Sequence, residues 1–220
     1  MTEIRSERVD RWLAILRRVH DEILEVHHHR EIWDFFNVEL PKQPDPGIVH
    51  QALARWYVDS QAAAIRRIYE PGDKQSLGAL MKSLEAHASE LKRADFLRLW
   101  HQLSEPGGDE HGIFREMAND AFDKFAGPGG EHVDPATVAA DRARLKGAHN
   151  VSRWASEHVA HIGREPSVAV TFDDLDAAIS LVGELHQRYY LLLTASSLMT
   201  VTPVIQEPWQ TPFTRPWLAD

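Results

Sequence analysis

The sequence predicts an all-α protein, an antiparallel helical bundle, and three observations carry that reading. Apolar residues recur at spacings of three and four through most of the 220 residues, the period of a helix with one buried face. No run alternates apolar and polar residues for long enough to build a sheet. The breaks between periodic segments fall at breaker clusters, notably Pro41-Lys-Gln-Pro-Asp-Pro-Gly47 and Glu105-Pro-Gly-Gly-Asp109, whose prolines and glycines end helices.

Taken in order, the first helix spans about Glu7 to Asn37, with Trp12, Leu13, Leu16, Val19, Ile23 and Val26 on one face. Its run His27-His28-His29 cannot chelate one ion, because consecutive helical residues point about 100° apart. The run therefore reads as a solvated or interfacial patch. The second helix begins near Pro46 or Ile48, carries Leu53, Trp56, Tyr57 and Ile65, and ends at Tyr69. Ser76 is placed to cap the helix Leu77–Leu84. A fourth segment, about Ser89 to Leu103, has Leu91, Phe96, Leu97 and Trp100 on its apolar side; a fifth covers Ile113 to Phe125.

After the flexible linker Gly127-Pro-Gly-Gly130, Asp134-Pro135 supplies an N-cap with proline at the first helical position. From there one helix is expected to run unbroken to about Ile162. Thr171 with Asp174 forms a capping box, with Asp in place of the usual Glu, and opens the last helix, to about Leu198. The domain reading is a helical bundle over 1–202 and a proline- and tryptophan-containing tail over 203–220, whose Trp209, Phe213 and Trp217 strap back onto it. Leaving so much aromatic surface in water is unfavourable.

Composition narrows the function classes. A domain of this size buries roughly 70% of its unfolded surface and needs no staples. With no cysteine there are no disulfides or thiolate metal sites, which suits a reducing cytoplasm. The charged start MTEIRSERVD has no apolar run of signal-peptide type, and no segment approaches the roughly 20 apolar residues of a membrane span. The formal charge of -9 is at odds with a protein that is basic all over, so RNA would have to be met by a local cluster: Arg142, Arg144, Lys146 and Arg153. Trp12, Trp56, Trp100 and Trp154, on helices that already have two-sided stripes, point to a homodimer. No cofactor is called for.

The stretch Val151-Ser-Arg-Trp-Ala-Ser-Glu-His-Val-Ala-His161 gathers two histidines, an arginine and an apolar stripe. On a helix Val151, Trp154, Ala155 and His158 share one face, and Arg153, Glu157 and His161 another, four residues apart each time. His158 and His161, at i and i+3, can also meet one metal ion, with His149 or His186 completing the set. A metal-binding bundle is thus the alternative reading.

Glu157-His-Val-Ala-His161, followed by Val170-Thr-Phe-Asp-Asp-Leu175 and Gln187-Arg-Tyr-Tyr-Leu191, resembles the C-terminal half of the AbiU-type (abortive-infection) group of the HEPN superfamily. Ala64-Ile-Arg-Arg-Ile-Tyr69 leading into Ser76-Leu-Gly-Ala-Leu80 is similar to that family's second block, and Pro208-Trp209 and Pro216-Trp217 are similar to its end. The touch points span the chain from about Gln51 onward. The resemblance implies a helical bundle that tends to dimerise, phage-defence or toxin–antitoxin links, and RNA or a protein partner of such a system. Active members are metal-independent endoribonucleases with an arginine, four to six residues of which the first is polar, then a histidine. His161 falls on the family histidine, but the matching arginine position is Ala155 or a near neighbour. Arg153 to His158 has a permitted spacing, as does Arg144 to His149, yet Trp154 follows Arg153 where active members carry a polar residue. On an ideal helix Arg153 and His158 also point about 140° apart. The motif is thus degenerate, and a binding or assembly role is favoured over cleavage. If RNA is cut, His161 or His158 is the acid or base, Arg153 contacts the phosphate, and Arg144, Lys146 and His149 hold the strand.

Overall fold

Helix α1 (Glu7–Glu39) is the spine against which the other long helices lie antiparallel. A computed structural model describes residues 7–42, 47–70, 72–103, 112–160, 167–202 and 209–210. Among them every regular element is helical, apart from one isolated bridge between Lys92 and His132. The stripe Trp12, Leu16, Val19, Ile23 and Val26 is buried as its period requires. Three neighbours use different parts of α1. Its N-terminal half meets α3 (Leu77–Ala86), where the Trp12 indole donates to Ser83 Oγ at 2.8 Å. Along its length α2 (Gly47–Tyr69) runs the other way, with Gln61 Nε2 donating to the Val26 carbonyl at 2.9 Å and Arg67 paired with Glu22. The last helix, α8 (Phe172–Thr194), contributes Leu175, Ile179, Val182, Leu185, Tyr189 and Leu192 to the same core.

The α1–α8 seam is close because one residue on it has no side chain. A methyl group at Gly183 would stand 2.9 Å from His27 Nε2, well inside van der Waals contact. Two turns along α1, His20 Nδ1 lies 3.0 Å from Nε2 of His186, a fully buried side chain whose Nδ1 has no partner. At the other end of the seam, Trp33, Tyr57 and Phe172 stack nearly parallel, and Arg30 pairs with Asp176 at 3.3 Å.

The middle of the chain builds a second layer. α4 (Arg93–Leu103) and α5 (Ile113–Ala126) are joined by Arg93, which donates to Asp123, Asn119 and the Gly130 carbonyl while covering the Phe122 ring. Gly130 has to be glycine, since a Cβ there would lie 2.3 Å from the Ala126 carbonyl oxygen. α6 (Pro135–Leu145) packs on α3 through Arg142 and Glu85 (2.6 Å). It is tied to α8 through Asp141, a buried carboxylate that accepts from Arg188 at 2.6 Å, Tyr189 Oη at 3.2 Å and Arg144 at 3.3 Å.

The local signals place the helix starts. Ser76 Oγ accepts from Ala79 N, Asp134 accepts from Ala136 N, and Thr171 and Asp174 form the reciprocal box. Some expectations differ. The segment from Asp134 is not one regular helix: α6 gives way to a 3-10 turn (Lys146–Ala148), α7 (His149–Trp154) and a π turn (Ala155–Val159). The tightening occurs where Gly147 passes within 3.0 Å of Leu181, measured from the site of a Cβ. The fourth helix starts at Arg93, because Arg93 N and Val133 N instead close a backbone link between residues 91–93 and 131–133. α8 ends at Thr194, with Ala195 in the left-handed region. The tryptophans also divide: Trp12 is buried, Trp100 and Trp154 are half-buried, and Trp56 is 66% exposed. Of the tail, Trp209 stands edge-on to Phe35 at 5.1 Å; Phe213 and Trp217 lie outside the described residues.

Two stability outcomes follow from these buried polar groups. Asp141→Ala leaves the Arg188 guanidinium and Tyr189 hydroxyl without their acceptor, and the expected loss in denaturant unfolding is about 3 kcal/mol. A loss below about 1 kcal/mol would show that the clamp contributes little. Burial, then the neighbouring His20, pushes His186 down to about 3. Its stabilising neutral form is therefore fully present above pH 6.5 and increasingly opposed as pH falls toward 3, by about 1.4 kcal/mol per pH unit. Thermal unfolding should show Tm falling between pH 6.5 and 5, with a shallower fall in His186→Gln.

Candidate functional site

α7 and the π turn lie across α2, with Val151, Ser152 and Ala155 buried beneath and Arg153, Glu157 and His158 toward the rim. The π turn closes with Ala160 N donating to the Ala155 carbonyl at 3.1 Å, while Ser156 Oγ donates back to the Ser152 carbonyl at 3.0 Å. Such turns insert one residue into a helix and re-aim the side chains beyond it.

The rim has a definite electrostatic order. Arg153 Nε donates to Glu157 Oε1 at 3.1 Å, and the other carboxylate oxygen of Glu157 accepts from both the backbone N and the hydroxyl of Ser167, each at 2.6 Å. Those hydrogen bonds, Ser167 first and Arg153 next, hold the Glu157 carboxyl down to about 2. The i,i+4 spacing of Arg153 and Glu157 is legible in the sequence; the Ser167 anchor is not. His158 turns the other way and stacks on Trp154, ring centres 4.6 Å apart. Arg153 and His158 thus have separate partners. His161 lies outside the described residues.

The expected phosphate-binding residues are also distributed. Arg144 bridges Asp141 and Glu184, at 3.3 and 2.8 Å. Lys146 is exposed on the 3-10 turn. His149 is exposed on the α2 side, its Nδ1 3.2 Å from the Tyr69 hydroxyl. Burial, with Glu70 adding to it, raises Tyr69 above the ordinary phenol value. With Arg142 on Glu85 as well, the arginines of the basic cluster are each met by a carboxylate.

His186, expected to complete a metal set, faces α1 and bonds to His20 instead. Among the described residues no group of three or more His, Cys, Asp or Glu side chains is arranged to hold a metal ion. The His20–His186–Tyr190 cluster was not among the sites expected from the sequence. Its signal was there: His20 is four residues after Leu16 and His186 four after Val182, both positions of buried stripes. A scan against protein-family models and searches of curated proteins and of solved structures return no match.

Glu157→Gln tests the order of this rim. Because the Glu157 carboxyl is held far below the ordinary carboxylate value, its contribution is present above about pH 4.5 and lost as pH falls toward 2. Differential scanning calorimetry should show a lower Tm for Glu157→Gln at pH 7, converging with wild type near pH 2, and a smaller drop for Arg153→Ala. Equal drops would show that Ser167 adds nothing.

Proposed function

We propose that this chain is a HEPN-like helical protein, of the kind linked to phage defence or toxin–antitoxin systems, that acts by binding and assembly, its cleavage motif being silent. The observation that carries this reading is the engagement of Arg153 by Glu157, itself anchored by Ser167. Cleavage at a ribose 2′-hydroxyl needs a base within reach of that proton and a cation at the phosphate where charge develops. Here the arginine is already neutralised, and His158 rests on the Trp154 indole rather than beside a cation. A helical fold is what such a protein requires, and it does not by itself specify the family.

In this reading the chain works in the cytoplasm as a homodimer. It meets RNA or a protein of the same defence system over the rim formed by Lys146, His149 and Arg153. No described helix is long and apolar enough to cross a membrane. The runner-up is an active metal-independent endoribonuclease, with His161 or His158 as acid or base. The π turn over Ala155–Val159 is the observation in its favour, since such turns occur often at functional sites.

Expression of the wild type and of Arg153→Ala, His158→Ala and His161→Ala, with total-RNA integrity as readout, separates the two. The expected result is intact RNA and normal growth in all four. EDTA-resistant cleavage by purified wild type that disappears in either histidine variant would overturn the silent reading.

A further inference from the structure

We propose that two copies of this chain pair through α2, with Trp56 of each seated in the groove between α1 and α2 of the other. The inference rests on the reading above that the chain assembles as a homodimer, and adds the surface.

Trp56 presents its indole to solvent, 66% exposed, on a helix whose opposite face is core. Val49 is exposed seven residues before it, and the residues around it on the same face are small: Ala52, Ser60 and Ala63. A tryptophan in water among small neighbours is a knob without a hole, and aromatic anchors of this kind dominate protein interfaces. The matching hole lies on the same helix. Ser60, Ala63 and Ala64 form one wall of a cavity of about 130 Å³, with Val26 and His29 of α1 as the other wall and Glu25 and Arg67 at its rim. Engineered cavities of about 150 Å³ accept a benzene-sized ring, so this groove, open on one side, takes the six-membered edge of an indole with the rest of the ring lying over its mouth. Its own Trp56 does not line it, and stands two turns from Ala63 on the same helix face.

That spacing selects the partner. A knob and its hole on one face of one helix satisfy each other when a second copy is turned about a twofold axis crossing the helix midway between them. The axis then passes between Asp59 and Ser60, and puts each Trp56 opposite the other copy's Ala63. The two α2 helices run antiparallel, so their dipoles are opposed favourably. Charge is complementary too. The chain carries -9 overall, yet α2 bears Arg55 beside Trp56, a cation only loosely met by Asp59 at 3.9 Å. On the adjoining face of α1 Glu22 is taken up by Arg67 of its own chain, but Glu25 lines the groove and can accept the indole N–H. A twofold contact is the smallest closed arrangement in which each Trp56 fills the other copy's groove.

Light scattering and sedimentation on the full chain at tens of micromolar test this. Wild type should be a dimer. Trp56→Arg, which removes the knob, and Ala63→Arg, which fills the hole, should each be monomeric, with unchanged far-UV circular dichroism and a Tm close to wild type. Trp56→Ala should weaken the dimer at least tenfold. Mixing Trp56→Ala with Ala63→Arg should restore a hetero-pair, since that pair keeps one intact Trp56 in one intact groove and sets no second arginine opposite the introduced one. A dimeric wild type whose two arginine variants also stay dimeric would overturn this surface and leave the homodimer standing. A monomeric wild type would overturn both, while RNA integrity on expression reports separately on the silent motif.

Discussion

The arrangement of the C-terminal half depends on one buried carboxylate. Asp141 lies on a face of α6 that α8 covers, and a charge in that position is costly unless its lone pairs are matched. Arg188 and Tyr189, adjacent on α8, and Arg144 on its own helix match them. The Arg188 guanidinium in turn lies 4.4 Å over the Phe125 ring and donates to the Lys124 carbonyl, so the same group anchors the end of α5. With α6 fixed on α8, the chain beyond it has to pass Leu181 at Gly147. It does so by tightening into a 3-10 turn before α7 crosses α2.

The α1–α8 seam answers a different constraint. Two long helices can approach closely only where a residue is small, and Gly183 is that place. The approach confines His27 and His186 where water is scarce, which holds both below the ordinary histidine value. Such a seam is specific rather than simply sticky: sliding α8 by one turn would separate His20 from His186, Arg30 from Asp176 and Trp33 from Phe172 together.

These constraints also explain what is left at the surface. The arginines near the motif are taken up in holding helices or in local pairs, and the two side chains whose spacing invites a catalytic reading face different partners. α2 has the opposite history. Its inner face is consumed by α1, α7 and α8, while its outer face keeps an indole, small residues and a groove that nothing in the described chain fills. Rigid helices presenting one large anchor beside a matching recess suit association better than chemistry.

What the sequence determined by itself is local. The helical class follows from a three-to-four apolar period, and the starts at Ser76, Asp134 and Thr171 from side chains that reach donors two or three residues away. Those interactions close within one turn, so a short window contains all of their physics. The candidate site was legible only to the same depth: the Arg153–Glu157 pair lies within one turn, whereas Ser167, ten residues on, does not. Only the tertiary structure decided that Trp12 is buried and Trp56 is not, because both sit in helices beside apolar residues. Trp12 faces α3, whereas Trp56 is left largely in water. It likewise decided that His186 would meet His20, 166 residues away, rather than the histidines of α7. Such pairings depend on how whole helices share one core, a sum over many weak contacts that no local pattern carries.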